Sequence, residues 1–199
     1  MASKKPRSLS LVSDVPCFAR RETLQLAMGA VAASVVRPAA AAEAPFPNLG
    51  DHLVRVTDEG TYTPLRVSDI EKSAKPVIAY PYDAATNTVH SESRLNKVLL
   101  VYFDPAQMDA ETQKRAAGGV LAFSAICTHQ GCEVSEWAPA PDSRDLLCFC
   151  HFSKYAPLKA ARVISGPAPR SLPTLPLALK EDELVVAGHF SASPGAARA

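Results

Sequence analysis

Two short segments contain most of the side chains in this sequence that could bind a metal. The first reads Cys-Thr-His-Gln-Gly-Cys over residues 127–132, and the second reads Cys-Phe-Cys-His-Phe-Ser-Lys-Tyr over residues 148–155. Each segment contains two cysteines and one histidine, so two loops together offer four thiols and two imidazoles. Thiolate and imidazole groups are the donors that suit zinc and iron–sulfur clusters. The two segments therefore predict a metal site.

The number of donors leaves two kinds of metal site open. A structural zinc would take four of the six donors and leave two thiols unused. An iron–sulfur cluster with mixed ligands would also take four, with two thiolates on one iron and two imidazoles on the other. The remaining cysteine of each loop can then form a disulfide that braces the two loops. Such a disulfide indicates an oxidising compartment.

The order of residues in these segments resembles that of the Rieske 2Fe–2S family. The resemblance extends over residues 121–179 and implies one 2Fe–2S cluster as the cofactor. It implies that Cys127 and Cys148 bind one iron and that His129 and His151 bind the other. It further implies a disulfide between Cys132 and Cys150. Two positions depart from the usual pattern of the family: Phe149 stands where proline is usual, and Phe152 stands where glycine is usual.

The same resemblance assigns roles to residues near the two loops. The third wall of the cluster pocket is expected to be a proline loop, which here contains Gly166, Pro167, Ala168 and Pro169. The hydroxyl groups of Ser153 and Tyr155 are expected to donate hydrogen bonds to a bridging sulfur and to a ligating cysteine sulfur. Donors directed at sulfur stabilise the added electron. We therefore expect a midpoint potential toward the positive end of the Rieske range, about −150 to +300 mV.

The segments that must position these loops are predicted to be short strands. A chain of 199 residues that is 47% apolar can bury one ordinary core. Apolar runs punctuated by proline and glycine predict an all-β fold, an antiparallel β-sandwich or small barrel with a two-loop cluster-binding subdomain. Residues 106–117 predict a surface helix or a long loop. The predicted strands span residues 53–56, 77–80, 97–103, 120–126 and 145–149, with a closing hairpin of 174–179 and 183–187.

The first 42 residues have the pattern of an export signal. Arg20 and Arg21 resemble a twin-arginine motif, a 13-residue apolar run follows at 24–36, and alanines at 39–42 suit a signal peptidase. A spanning helix needs about 20 predominantly apolar residues, so we expect cleavage and a periplasmic protein. Retention of the segment as an inner-membrane anchor is the alternative. The Rieske domain would then occupy residues 43–190, followed by a flexible tail at 191–199.

Charge and motifs exclude several classes of function. The chain has 21 basic and 20 acidic residues, and without the six basic and two acidic residues of the signal segment it has 15 and 18, a net charge of −3. This charge balance does not indicate a nucleic-acid-binding protein. The sequence pattern shows no nucleophile–base pair that would indicate a stand-alone catalytic site. We therefore expect an electron carrier that works with partner proteins.

The resemblance leaves three kinds of partnership open. The first expectation is the small subunit of an exported oxidoreductase similar to arsenite oxidase. Such a subunit passes electrons from a molybdenum-containing large subunit toward a c-type cytochrome. The second is the Rieske subunit of a cytochrome bc-type complex, with cytochrome b and quinol as partners. The third is a free-standing soluble carrier. Phe152, in place of the glycine of quinol-reacting subunits, favours the first.

Overall fold

The computed structural model describes residues 47–56, 61–72, 75–139 and 144–196, and the regular secondary structure within them is mostly β-strand, connected by loops and turns. The expected signal segment, residues 1–42, lies outside this part. One short helix, α1, covers Ala110–Gln113, and single 3-10 turns cover Val67–Asp69, Arg94–Asn96, Pro105–Gln107 and Pro157–Lys159. The strands of the described residues are β1 His52–Val54, β2 Val77–Asp83, β3 Thr88–Val89, β4 Val98–Tyr102, β5 Val120–Ser124, β6 Glu136–Trp137, β7 Leu146–Cys148, β8 Ser153–Ala156, β9 Arg162–Ser165, β10 Thr174–Leu175, β11 Leu177–Lys180 and β12 Glu183–Val186.

The larger of two sheets is antiparallel and nearly closes into a barrel. Its strands follow the order β10-β5-β4-β2-β1-β12-β11, and β3 pairs with β2. The two outermost strands, β10 and β11, are consecutive in the chain and separated only by Pro176. Proline has no amide hydrogen to donate to a ladder, so it breaks the run into two strands. The all-β fold expected from the sequence is confirmed.

Strands β4 and β5 bury both of their faces, which explains why they are the most continuous apolar runs. Side chains alternate between the two faces of a strand. Leu100 and Ala122 belong to the core inside the barrel, together with Leu53 and Leu184. Their neighbours Leu99, Leu121 and Phe123 belong to a second core on the other face. The barrel and the metal-binding subdomain therefore share these two strands.

The smaller sheet is an insertion between two neighbouring strands of the barrel. Its order is β6-β7-β8-β9, and it occupies the chain between β5 and β10, which pair with each other. Residues 127–132 follow β5, residues 149–152 form the turn between β7 and β8, and residues 166–173 lead from β9 to β10. These three connections are the two cysteine–histidine segments and the proline loop.

Most predicted strands are present, and one expectation needs correction. Residues 106–117, for which a surface helix or a long loop was expected, are mostly loop, with the end of the 3-10 turn Pro105–Gln107 and the four-residue helix α1. The tail, expected to be flexible from Ser191, is attached to the domain over residues 191–196, where Pro194 and Gly195 are buried. Its backbone carbonyls bind a side chain of the domain, a contact that its small-residue composition did not predict. The closing hairpin turns at Glu181 and Asp182, both with positive φ.

Candidate metal centre

The first metal loop is a tight turn that starts where β5 ends. The amide of Cys127 donates to the carbonyl of Cys132 at 2.7 Å, and the amide of Gly131 donates to the carbonyl of Cys127 at 3.0 Å. Gly131 has φ +74°, a conformation that glycine adopts at no steric cost. The turn places Cys127 in the core and leaves His129 half-buried at the outer side.

The second metal loop is the tip of the β7–β8 hairpin. Cys148 and Ser153 are paired across the two strands, and the amide of Phe152 donates to the carbonyl of Cys148 at 2.9 Å. Phe152 has φ +59° and is 64% exposed. Left-handed backbone favours glycine, which explains why glycine is usual at this position of the resembled family. The phenylalanine adopts it at a steric cost.

The structure brings the four expected ligands to one place. Cys127 and Cys148 are each 1% exposed, whereas His151 is exposed. The imidazole rings of His129 and His151 lie edge to face with centroids 4.7 Å apart. Nδ1 of His129 is buried and finds no hydrogen-bond partner in the part of the chain that the structure describes. Two adjacent buried thiols and an unpartnered buried imidazole nitrogen fit a mixed thiolate and imidazole centre.

The buried thiols favour a bound cation over two free thiolates. Burial raises the pKa of the Cys148 thiol, and the neighbouring Cys127 raises this pKa further. Two thiolates side by side in the core would repel each other without water to screen them. Binding a metal releases the thiol protons and supplies the missing positive charge. The site is therefore built for a metal rather than for a reactive thiol.

The two remaining cysteines form the disulfide that the resemblance implies. Cys132 and Cys150 are bonded, with their Cα atoms 6.5 Å apart. The sulfurs of Cys132, Cys148 and Cys150 lie within 4.8 Å of one another, which by distance alone is a possible metal cluster. Sulfurs in a disulfide cannot act as thiolate ligands, so of the three only Cys148 could still bind a metal. The disulfide joins the first metal loop to the second.

Removing this disulfide is expected to destabilise the protein. The cross-link spans 18 residues, and a loop of about that length contributes about 3 kcal/mol by restricting the unfolded chain. Denaturant unfolding of a Cys132→Ser/Cys150→Ser variant measures this loss. As a control, the disulfide of the unaltered protein is reduced under conditions that keep the cluster bound. This separates the effect of the missing bond from damage to the metal ligands. An unchanged unfolding midpoint would contradict a structural role for the bond.

Tyr155 places its hydroxyl group beside the sulfur of an expected ligand. This tyrosine is fully buried on β8, and its Oη lies 3.1 Å from Sγ of Cys127. Burial and the adjacent thiol raise the pKa of the phenol well above its usual value. The hydroxyl group therefore stays protonated and can donate a hydrogen bond to the sulfur. Thr128, buried between two ligands, lies with Oγ1 3.5 Å from the same Oη and donates to the carbonyl of Arg170 at 2.7 Å.

Ser153 is fully buried and links the second metal loop to the proline loop. Its Oγ accepts the amide of Ala168 at 3.1 Å. That bond uses a lone pair of the oxygen, so the hydroxyl proton is still available for donation to a cluster sulfur. Alternation along β8 puts Ser153 and Tyr155 on one face and Lys154 on the other. Both expected tuning residues thus face the metal side.

The proline loop begins with a glycine that has no room for a side chain. Gly166 has φ +90°, and a Cβ there would lie 2.5 Å from Cα of Ser153. Ala168 is buried against the core, whereas Pro167 and Pro169 are exposed. Of the four expected pocket residues, Gly166 and Ala168 therefore contact the second metal loop directly.

Replacing Gly166 by alanine should displace the proline loop. The new Cβ would overlap the backbone of Ser153, and the left-handed conformation adds about 1–2 kcal/mol. We expect a loss of at least about 2 kcal/mol in the free energy of unfolding, with a lowered melting temperature. Gly50→Ala is the matched control, because Gly50 also has positive φ, but nothing lies within 4 Å of its added Cβ. Equal losses in both variants would show that contact with Ser153 does not matter.

Two basic side chains that the sequence analysis missed fix the first metal loop to the barrel. Arg94 donates to the carbonyl of Gly131, and Lys97 forms an ion pair with Glu133. The Glu133 carboxylate raises the pKa of the Lys97 ammonium group. Neither residue belongs to the cysteine–histidine pattern. Only the pairing of β4 with β5 brings them near the loop.

The fold and the site together define a class of protein. An all-β domain that presents two buried cysteines and two histidines from paired loops fits a metal-centre protein with mixed thiolate and imidazole donors. The sequence model of the Rieske [2Fe-2S] domain matches residues 76–176. The chain belongs to the Rieske family, whose domain binds one 2Fe–2S cluster. Cys127, His129, Cys148 and His151 are the residues that would hold it.

Similar proteins are found among both curated sequences and solved structures. A Haloferax mediterranei protein named as a candidate Rieske subunit of respiratory nitrate reductase is 35% identical over 49% of this chain and 43% of its own length. The cytochrome bc1 complex Rieske subunit of Corynebacterium efficiens is 32% identical over 54% of this chain and 28% of its own length. The soluble domain of Rieske protein II from Sulfolobus acidocaldarius is 25% identical, with a TM-score of 0.37 over 49% of this chain and 66% of that one. The chain thus spans less than half the length of these two curated relatives.

Proposed function

We propose that this chain is the electron-transfer subunit of an oxidoreductase complex. The observation that carries the proposal is the asymmetry of the ligand set. Both cysteines are buried, but His151 is exposed at the tip of the second metal loop. One edge of the centre therefore reaches the surface, where a partner can exchange electrons with it. The cluster, when bound, accepts and returns one electron.

The residues of the chain prepare the centre for this exchange. The core around Cys127 and Cys148 keeps water from the thiolate side, which strengthens every electrostatic interaction there. Tyr155 and Ser153 direct hydroxyl groups at that side and favour the reduced state. The disulfide and the proline loop hold the metal loops in position, so little rearrangement accompanies a change in charge.

Two kinds of complex follow from specific observations. Relatives named as cytochrome bc1 Rieske subunits favour a partnership with cytochrome b and quinol. An exposed Phe152 beside His151 favours a large subunit with a different substrate. A relative is named as a Rieske subunit of nitrate reductase, which bears on the kind of complex and not on the direction of electron transfer, because a reductase takes electrons up. We propose this second kind of complex, with a molybdenum-containing subunit as donor and a c-type cytochrome as acceptor. The genes beside this one test the choice: a molybdopterin-subunit gene supports it, and a cytochrome b gene contradicts it.

Rapid mixing tests electron transfer itself. The cluster-loaded protein, reduced and freed of reductant, is mixed with an oxidised c-type cytochrome, and both visible spectra are followed. We expect second-order reduction of the haem with one electron delivered per chain. No haem reduction, despite a favourable difference in potential, would contradict the proposed acceptor.

We further propose that the protein works in the periplasm after twin-arginine export. The Cys132–Cys150 disulfide supports an oxidising compartment. Within the described residues, no helix is long and apolar enough to cross a membrane. Cell fractionation of the unaltered chain and of an Arg20→Lys/Arg21→Lys variant tests the proposal. We expect the unaltered chain in the periplasm with its disulfide formed, and the variant in the cytoplasm. Equal periplasmic amounts would contradict the proposal.

A further inference from the structure

The last described residues of the chain lie against the metal-binding side of the domain. We call residues 191–196 the C-terminal strap. Its first residue is fixed to β10: the amide of Ser191 donates to the carbonyl of Thr174, and Oγ of Ser191 accepts the amide of Thr174, both at 2.9 Å. Farther along, Pro194 and Gly195 are buried. The strap is therefore packed and hydrogen-bonded, although its small residues predicted a free end.

A single arginine binds the distal half of the strap. Nη2 of Arg170 donates to the carbonyl of Ser193 and to the carbonyl of Gly195, each at 2.7 Å. Hydrogen bonds from a charged donor are about twice as strong as neutral ones. Gly195 has φ +81°, and a Cβ there would lie 3.2 Å from Leu95 and 3.5 Å from Ile126. The backbone of the strap thus lies against the residue that precedes Cys127.

The same arginine holds the first metal loop through its backbone. Its carbonyl accepts the hydroxyl group of Thr128, which is fully buried between Cys127 and His129. Thr128 lies beside Tyr155, whose hydroxyl group reaches the Cys127 sulfur. A continuous series of contacts therefore runs from the strap through Arg170 and Thr128 to a ligand.

We propose that the C-terminal strap and Arg170 position the first metal loop and so help the protein to retain its cluster. The strap clamps the guanidinium group, the clamped arginine fixes its own carbonyl, and that carbonyl fixes Thr128. Arg170 is a positioning residue, because its side chain contacts the strap and only its backbone carbonyl reaches the loop. The proposal rests on the metal centre and not on the identity of the redox partner.

Hydrogen exchange on the cluster-loaded full chain tests this directly. In an Arg170→Gln variant we expect the amides of Cys127 and Gly131, which close the first metal loop, to exchange about tenfold faster, as loss of a charge-assisted hydrogen bond implies. The strands β1 and β12 should keep their exchange rates. We also expect cluster loss to a chelator to become about tenfold faster. Arg162→Gln is the matched control, since Arg162 is an exposed arginine at the same surface depression and has no bond to the strap.

Two further variants separate a positioning role from a general loss of stability. Deletion of everything after Phe190 should reproduce the effect of Arg170→Gln, and Arg170→Lys should restore part of the protection. In a Thr128→Val background, Arg170→Gln should add little, because the two changes act through one series of contacts. Any of three results would overturn the proposal. These are fully additive effects of Thr128→Val and Arg170→Gln, an unchanged exchange rate at the Gly131 amide of Arg170→Gln, or faster exchange across the whole barrel. If the Arg170→Gln protein kept its reduced-cluster paramagnetic signal and its amide exchange rates were unchanged, the positioning role of the strap would be rejected. The proposed electron transfer would not be affected by that result.

Discussion

Replacing either Cys148 or His151 should abolish cluster binding. A Cys148→Ser chain loses one of two buried thiolates, and a His151→Ala chain loses an imidazole at the tip of the second metal loop. Among the described residues no spare thiol is available, because Cys132 and Cys150 are bonded to each other. We expect iron content and visible absorption below about a tenth of the unaltered protein, since cluster binding requires the complete ligand set.

The His151→Ala change has a particularly clean control. His151 and His189 are both exposed, so replacing either should change the free energy of unfolding of the metal-free fold by only about 0.5 kcal/mol. His189→Ala should retain all of its iron. A His151→Ala protein with full iron and an unaltered spectrum would show that this histidine is not a ligand.

Removing the hydroxyl group of Tyr155 should lower the midpoint potential by tens of millivolts. The hydroxyl group lies 3.1 Å from Sγ of Cys127, and donation from it to a cluster-bound thiolate would stabilise the electron-rich reduced state. For a one-electron centre, each 1.4 kcal/mol of lost preference corresponds to about 59 mV. A redox titration of Tyr155→Phe measures the change, because phenylalanine retains the buried ring. Tyr102→Phe, on β4 and outside the metal site, should leave the midpoint unchanged.

Ser153→Ala should lower the midpoint as well, but with a second consequence. The Ala168 amide would lose its acceptor, and a buried unpaired donor costs about 1–3 kcal/mol. Ser153→Ala should therefore lower both the midpoint potential and the free energy of unfolding, whereas Tyr155→Phe should mainly lower the midpoint potential. A higher midpoint in either variant would reverse the role assigned to these hydroxyl groups.

The local pattern of the sequence was sufficient to indicate a metal site and the all-β fold. Cysteine and histidine are rare enough that two short segments identify a metal site. The apolar run of β5 leads directly into Cys127, so the loop could be placed at a strand end. The hairpin around residues 181–182 was visible because polar residues interrupt two alternating runs. These are all local signals, within reach of sequence reasoning.

Long-range contacts account for what the sequence did not reveal. Arg94 and Lys97 reach the first metal loop only because β4 pairs with β5, and Arg170 meets the strap only after the barrel closes. Thr128 was overlooked, although its position between two ligands was a usable signal. The strap contains small residues without an apolar pattern, and its order comes from carbonyl groups, which every residue has. Side-chain chemistry alone could not predict it.

Electron paramagnetic resonance of the reduced, purified protein, titrated against potential, tests the central claim most directly. We expect one 2Fe–2S cluster per chain, a reduced-state signal with an average g value below that of the free electron, and a positive midpoint. These features follow from two imidazole ligands and two hydroxyl donors at the centre. A silent sample that contains zinc would contradict the account, because zinc has no redox chemistry and the same loops would then have only a structural role.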